Sequence, residues 1–232
     1  MRLISVQPNK RRARRGLSQR NGGFTIVELM IASSVFAVLL LVISAGVMSF
    51  TRQYYKGVVT TKTQTTARSI MSEVTQAIQF SSTVYTGLSS GSGSEKGFCV
   101  DNKLFSYIIG QQVMDKGGLV VNHQGYHGFV VDSGGSSCTT TTVPMALPLG
   151  SALGPGQREL LGDKMRLAAL NISVNGDLYL VRVRVLYGQD SVLSPAVTSV
   201  TDWSKEACAN DSAGSQYCAV SDLTTTIQKR LQ

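Results

Sequence analysis

Residues 24–50 read FTIVELMIASSVFAVLLLVISAGVMSF, an apolar run whose one charge is Glu28, with no further charge until Arg52. At 1.5 Å per residue such a helix spans roughly 40 Å, enough to cross a hydrocarbon core of about 30 Å. No proline occurs between Pro8 and Pro144, so nothing stops the helix from continuing past the run. Residues 51–69 are polar and threonine-rich, and Gly57 lowers helix propensity further. Ile70, Met71, Val74, Ala77 and Ile78 then recur at helical spacing and predict one apolar face, with the helix ending near Phe80.

Beyond the helix the periodicity changes. Residues 86–97, TGLSSGSGSEKG, predict a glycine-serine loop. It contains Gly87-Leu88-Ser89-Ser90-Gly91, which matches G-x-S-x-G, but a nucleophile elbow joins a strand to a helix and this stretch follows a helix, so the match is read as chance. Residues 143–156, VPMALPLGSALGPG, predict a long connection between an irregular first half and a hairpin. The hairpin is the clearest sheet signal: in ISVNGDLYLVRVRVLYG, Asn175-Gly176 favours a tight turn. After that turn Tyr179, Val181, Val183, Val185 and Tyr187 alternate with Leu180, Arg182, Arg184 and Leu186. The tyrosine-valine face is therefore core, and the arginines face solvent or a neighbour. The final CAVSDLTTTIQKRLQ predicts one more strand.

The formal net charge of +8 suggests a nucleic-acid or anionic-membrane partner until the charges are located. Residues 1–23 hold seven basic residues and no acid; of the 22 basic and 14 acidic residues in the chain, 15 and 14 remain beyond them. No basic stripe with interleaved aromatics survives removal of that segment, so no dedicated nucleic-acid site is expected. With the basic residues in front of the apolar run, the positive-inside rule leaves the leader in the cytoplasm and the chain beyond about residue 52 outside. A secretory signal peptide also has a basic front and apolar middle, but its apolar region is shorter and ends in an A-x-A-like site that is missing here. The pairs Arg11-Arg12 and Arg14-Arg15 lack the context of a twin-arginine signal and read as a generic basic front.

Cys99, Cys138, Cys208 and Cys218 form an even set without C-x-x-C spacing, which disfavours a zinc site. Outside the cytoplasm they read as up to two disulfides. Cys208 and Cys218 would close a ring of about 11 residues, stabilising the fold by roughly 3 kcal/mol in the chain-entropy model. That leaves Cys99 with Cys138 as the second pair. His123 and His127 stand four apart, but Gly125, Gly128 and the flanking GLVV and GFVV point to a hairpin with a solvated turn rather than a metal pair on a helix. With no catalytic constellation, no enzyme activity, cofactor or metal is expected.

Glu28 is the informative residue, because a carboxylate in an apolar span costs on the order of 2.5 to 3.5 kcal/mol on insertion scales and requires a partner. Residues 22–29, Gly-Gly-Phe-Thr-Ile-Val-Glu-Leu, resemble the cleavage and methylation motif of type IV prepilins. The resemblance implies cleavage by prepilin peptidase after Gly23, methylation of the new N-terminus at Phe24, and a role for Glu28 in assembly. There the glutamate of an incoming subunit pairs with the terminal amine of its neighbour. It implies an α+β pilin fold: a basic leader over 1–23, a long helix over 24–80 (transmembrane and filament core over 24–50, amphipathic over 51–80) and an antiparallel β-rich extracytoplasmic part over 81–232. Other pilin subunits and an inner-membrane assembly platform are the implied partners, and a single-pass inner-membrane location precedes entry into a filament. The layout is most similar to minor pilins of the PilW and J type. A type II secretion or competence pseudopilin has the same N-terminal chemistry, and an uncleaved membrane-tethered binding module is a further alternative.

Overall fold

The computed structural model describes residues 23–89, 95–113, 127–133, 153–194, 202, 207–209 and 214–230. Most of the leader, His123, Cys138 and residues 143–152 of the proline-rich connection lie outside them. The elements, in chain order, are helix α1 (Ile26–Gln79) and strands β1 (Val84–Ser89), β2 (Glu95–Val100), β3 (Lys103–Ile108), β4 (Phe129–Asp132), β5 (Gln157–Glu159), β6 (Met165–Asn175), β7 (Leu178–Tyr187), β8 (Leu193–Ser194), β9 (Ala207–Cys208) and β10 (Ala219–Gln228). The arrangement is α+β with antiparallel sheets. The chain divides into two compact units, one ending at Met48 and one running from Ser49 to Gln232.

In the first unit, α1 is apolar on every side and none of its large side chains is buried. It contains a stretch long and apolar enough to cross a membrane. A helix satisfies its own backbone groups, which is what a bilayer interior demands. Two of its serines conform: Ser33 Oγ donates to the Met30 carbonyl at 2.9 Å and Ser34 Oγ to the Ile31 carbonyl at 2.8 Å.

In the second unit the helix acquires a buried face. Val59, Thr63, Ala67, Ile70, Met71, Val74 and Ile78 recur every three or four residues and all are buried. The face therefore begins about three turns before the segment that apolar spacing picks out. Thr63 hides this in the sequence, but its hydroxyl donates to the Val59 carbonyl at 2.8 Å, which removes the polar cost of burial. Past the helix end, Asp101 accepts the backbone N–H groups of Ser82 and Thr83, each at 2.9 Å, and the Ser82 hydroxyl at 2.7 Å. Asp101 itself adopts φ of +50°, a conformation aspartate tolerates. Burial opposes its charge, but these hydrogen bonds win and hold its carboxyl below the ordinary 3.8.

Strands β1 to β5 form a five-stranded antiparallel sheet in chain order. This corrects two sequence expectations. Among the described residues the first half contributes a meander where irregular structure was expected, and residues 86–89 and 95–97 are strand, so strand takes up part of the expected glycine-serine loop. A second sheet has the order β10-β7-β6, and β8 pairs with β9. The β10–β7 register runs without a break from Ala219 opposite Tyr187 to Gln228 opposite Leu178. The β6–β7 hairpin closes one residue later than Asn175-Gly176 implies, with Asn175 opposite Leu178 and Gly176-Asp177 at the tip. Positive φ at Gly176 alone, +61°, is the pattern of a type II′ turn.

The main core joins Ile70, Val74 and Ile78 of α1 to Phe98, Phe105 and Phe129 of the first sheet and to Val181, Val183 and Val185 of β7. Phe98 and Phe105 stack with centroids 4.5 Å apart. A bulge between Leu167 and Ala169 leaves Met165–Leu170 buried on both faces, with Ala168 and Leu186 packing beside Val192, Leu193 and Cys218. The tyrosine-valine face of β7 is core as expected, while Arg182 and Arg184 both reach Asp222 across the β10 pairing.

Candidate functional site

Gly23, Phe24 and Thr25 precede the first turn of α1 and are exposed. A side chain added at Gly23 would meet nothing within 4 Å, so the fold itself does not require glycine there. Any such requirement must come from whatever grips the segment. Thr25 caps the helix: its Oγ1 accepts the Glu28 backbone N–H at 3.2 Å, and its carbonyl accepts the Leu29 N–H at 3.2 Å. Thr25-Ile26-Val27-Glu28 is thus the S/T-x-x-E signature of a capping box, readable in the sequence but missed in favour of the charge on Glu28 alone. Glu28 lies exposed in the first turn, where the helix dipole favours a carboxylate. Breaking the chain between Gly23 and Phe24 would create an ammonium at that same positive helix end. A carboxylate within reach would then be needed to offset it.

The geometry therefore comprises an accessible peptide bond before a capped helix, an acid in the first turn and an apolar surface on all sides beyond it. A family model described as the prokaryotic N-terminal methylation motif matches residues 18–44. The N-terminal segment is of prepilin type. Such a motif implies processing by a prepilin peptidase and assembly with other pilin-like subunits, and with the apolar helix it fits a single-pass membrane anchor. No curated protein and no solved structure matches the chain.

The other residues singled out in the sequence separate into distinct places. Cys208 and Cys218 are disulfide-bonded, with Cα atoms 5.6 Å apart. Cys99 is buried and also disulfide-bonded, whereas Cys138 lies outside the described residues. Ser89 ends β1, and the remainder of the G-x-S-x-G match, Ser90 and Gly91, is likewise outside them.

His127 corrects an expectation: it is buried rather than in a solvated turn. Its Nδ1 is 3.5 Å from Oε2 of Glu159, and that carboxylate also accepts the backbone N–H groups of Gly128, Phe129 and Leu161. Burial nonetheless outweighs these bonds and raises the Glu159 carboxyl above its ordinary 4.5. Neither Glu159 nor the buried Arg166 stood out in the sequence, because their partners are remote: Arg166 donates to the Gly188 carbonyl and to Asp190. Among the described residues no group of three or more His, Cys, Asp or Glu is placed to hold a metal ion.

Proposed function

We propose that the chain is a structural filament subunit, a minor pilin of a type IV pilus. Residues 1–23 act as a leader on the cytoplasmic side, removed by prepilin peptidase after Gly23, and the amine of Phe24 is then methylated. The released helix, residues 24–80, stays in the inner membrane through its apolar part until an assembly platform feeds it into a filament. There Glu28 of the entering subunit pairs with the Phe24 amine of its neighbour. Between packed apolar helices both charges would be costly unless matched, so the pair sets the register of the two subunits. Residues 81–232 form the part displayed outside.

The observation that carries this reading is the coincidence of the methylation-motif match with a capped helix whose residues up to Met48 are exposed on every face. Glu28→Gln separates the two roles open to Glu28, since glutamine serves a capping box as well as glutamate but carries no charge. Cleavage should proceed normally, with the isolated protein beginning at methylated Phe24 by intact mass and N-terminal sequencing, while incorporation into sheared filaments is lost. Wild-type incorporation of this variant would leave Glu28 a helix cap only. A cellular form that begins at Met1 would remove the proposal altogether.

A further inference from the structure

The helix segment just past the apolar run has a composition that neither the core nor the processing site uses. Between Glu28 and Glu73 the charges are Arg52, Lys56, Lys62 and Arg68, all basic and all exposed. Tyr54 and Tyr55 lie among them, 61% and 42% exposed. From Phe50, the last residue of the run, Arg52 to Lys56 rise roughly 3 to 9 Å along the helix, close to the depth of a phospholipid headgroup layer.

A remote part of the chain is brought to the same level. Lys56 Nζ donates to the Cys218 carbonyl at 2.8 Å and to Ser215 at 3.4 Å, which holds the disulfide-closed loop against the helix. Tyr217 on that loop meets Tyr55 with ring centroids 5.5 Å apart and stays 46% exposed. Three exposed tyrosines and a run of basic residues with no acid among them between Glu28 and Glu73, following an apolar run of membrane length, are the residue types that settle at a bilayer interface.

We propose that Tyr54, Tyr55, Tyr217, Arg52 and Lys56 form a collar that docks the globular part onto the phosphate layer of the membrane leaflet from which α1 emerges. The occupant is the phospholipid headgroup, with the phosphates drawn to the cations and the tyrosine rings lying among the glycerol and carbonyl groups. The collar rests on the membrane-anchored reading of α1, and it adds a fixed depth and a surface through which residues remote in sequence reach the lipid.

The test uses the full-length chain in vesicles of phosphatidylglycerol and phosphatidylcholine, with p-benzoylphenylalanine introduced singly in place of Leu40, Tyr54, Tyr217 or Thr224. After illumination, lipid adducts are read by intact mass. Adducts are expected at 40, 54 and 217 and not at 224, with the yield at 217 falling about fivefold when phosphatidylcholine alone is used. Adducts at 40 but at neither 54 nor 217 would overturn the collar and leave the anchor standing. Adducts at none of the positions would overturn the anchor as well. Equal yield at 224 and 217, or no dependence on anionic lipid, would also overturn the docking. Position 54 keeps the test informative if substitution at 217 disturbs the neighbouring disulfide, which the same spectra report.

Discussion

One helix runs through both units, and its two stretches obey different rules. Up to Met48 apolar side chains cover every face and none is buried; from Val59 to Ile78 only one face is apolar, and it is buried. The second stretch finds its apolar partners within its own chain. None of the first stretch's side chains is buried among the described residues, an apolar exposure that water tolerates poorly and that lipid or other helices would relieve. Local sequence alone makes both stretches helical, but only the periodicity reveals where each one's partners come from.

A buried acid probes the difference most sharply. Val74→Asp places an unpaired charge among Ile70, Phe98 and Val181 and should cost about 4 kcal/mol or more, so that the soluble part loses its cooperative melt. Val38→Asp should leave that melt unchanged while making membrane insertion less favourable by about 3 kcal/mol, seen as protein released by carbonate extraction. Equal effects of the two changes on melting would erase the distinction. Replacing Cys208 and Cys218 together by alanine should lower stability of the second unit by roughly 3 kcal/mol in denaturant titrations against the unaltered chain. At the other end, Thr25→Ala removes the helix cap and should cost about 1 kcal/mol of local helix stability, measured by amide exchange at Glu28.

The gentlest probe is pH. Because burial raises the Glu159 carboxyl above 4.5, the folded chain retains a proton that the unfolded chain has released between that value and its own. Stability therefore falls as pH rises through this window. Glu159→Gln should flatten that slope in urea midpoints, even though its amide mimics only part of the hydrogen bonding at Gly128, Phe129 and Leu161.

The long helix, the β6–β7 hairpin, the last strand and the Cys208–Cys218 bond were legible because each has a local signature: an apolar run, strict alternation, or a short ring between cysteines. The first sheet was not. Strand β2 carries a buried Glu95 and Gly97 in place of an alternating pattern, and β1 is largely exposed, so neither announces itself. Val59, Thr63 and Ala67 were overlooked because a small or polar residue can line a helix face when its hydroxyl is satisfied internally. His127 and Arg166 look like surface residues until Glu159 and Asp190, remote in sequence, are brought beside them. The methylation motif was readable in residues 22–29, whereas the cap at Thr25 lay hidden inside it.

Strand β10 and the two residues after it tie the fold shut. Arg230 N–H donates to the Gln79 carbonyl, Lys229 N–H to Asp177, and Lys229 Nζ to Ser82, while β10 completes the sheet alongside β7. A ribosome delivers these residues after every other described element of the second unit. Closure of that unit must therefore wait until β10 has been made, and a chain stopped before Ala219 would be left unsealed, a ready target for quality-control proteases.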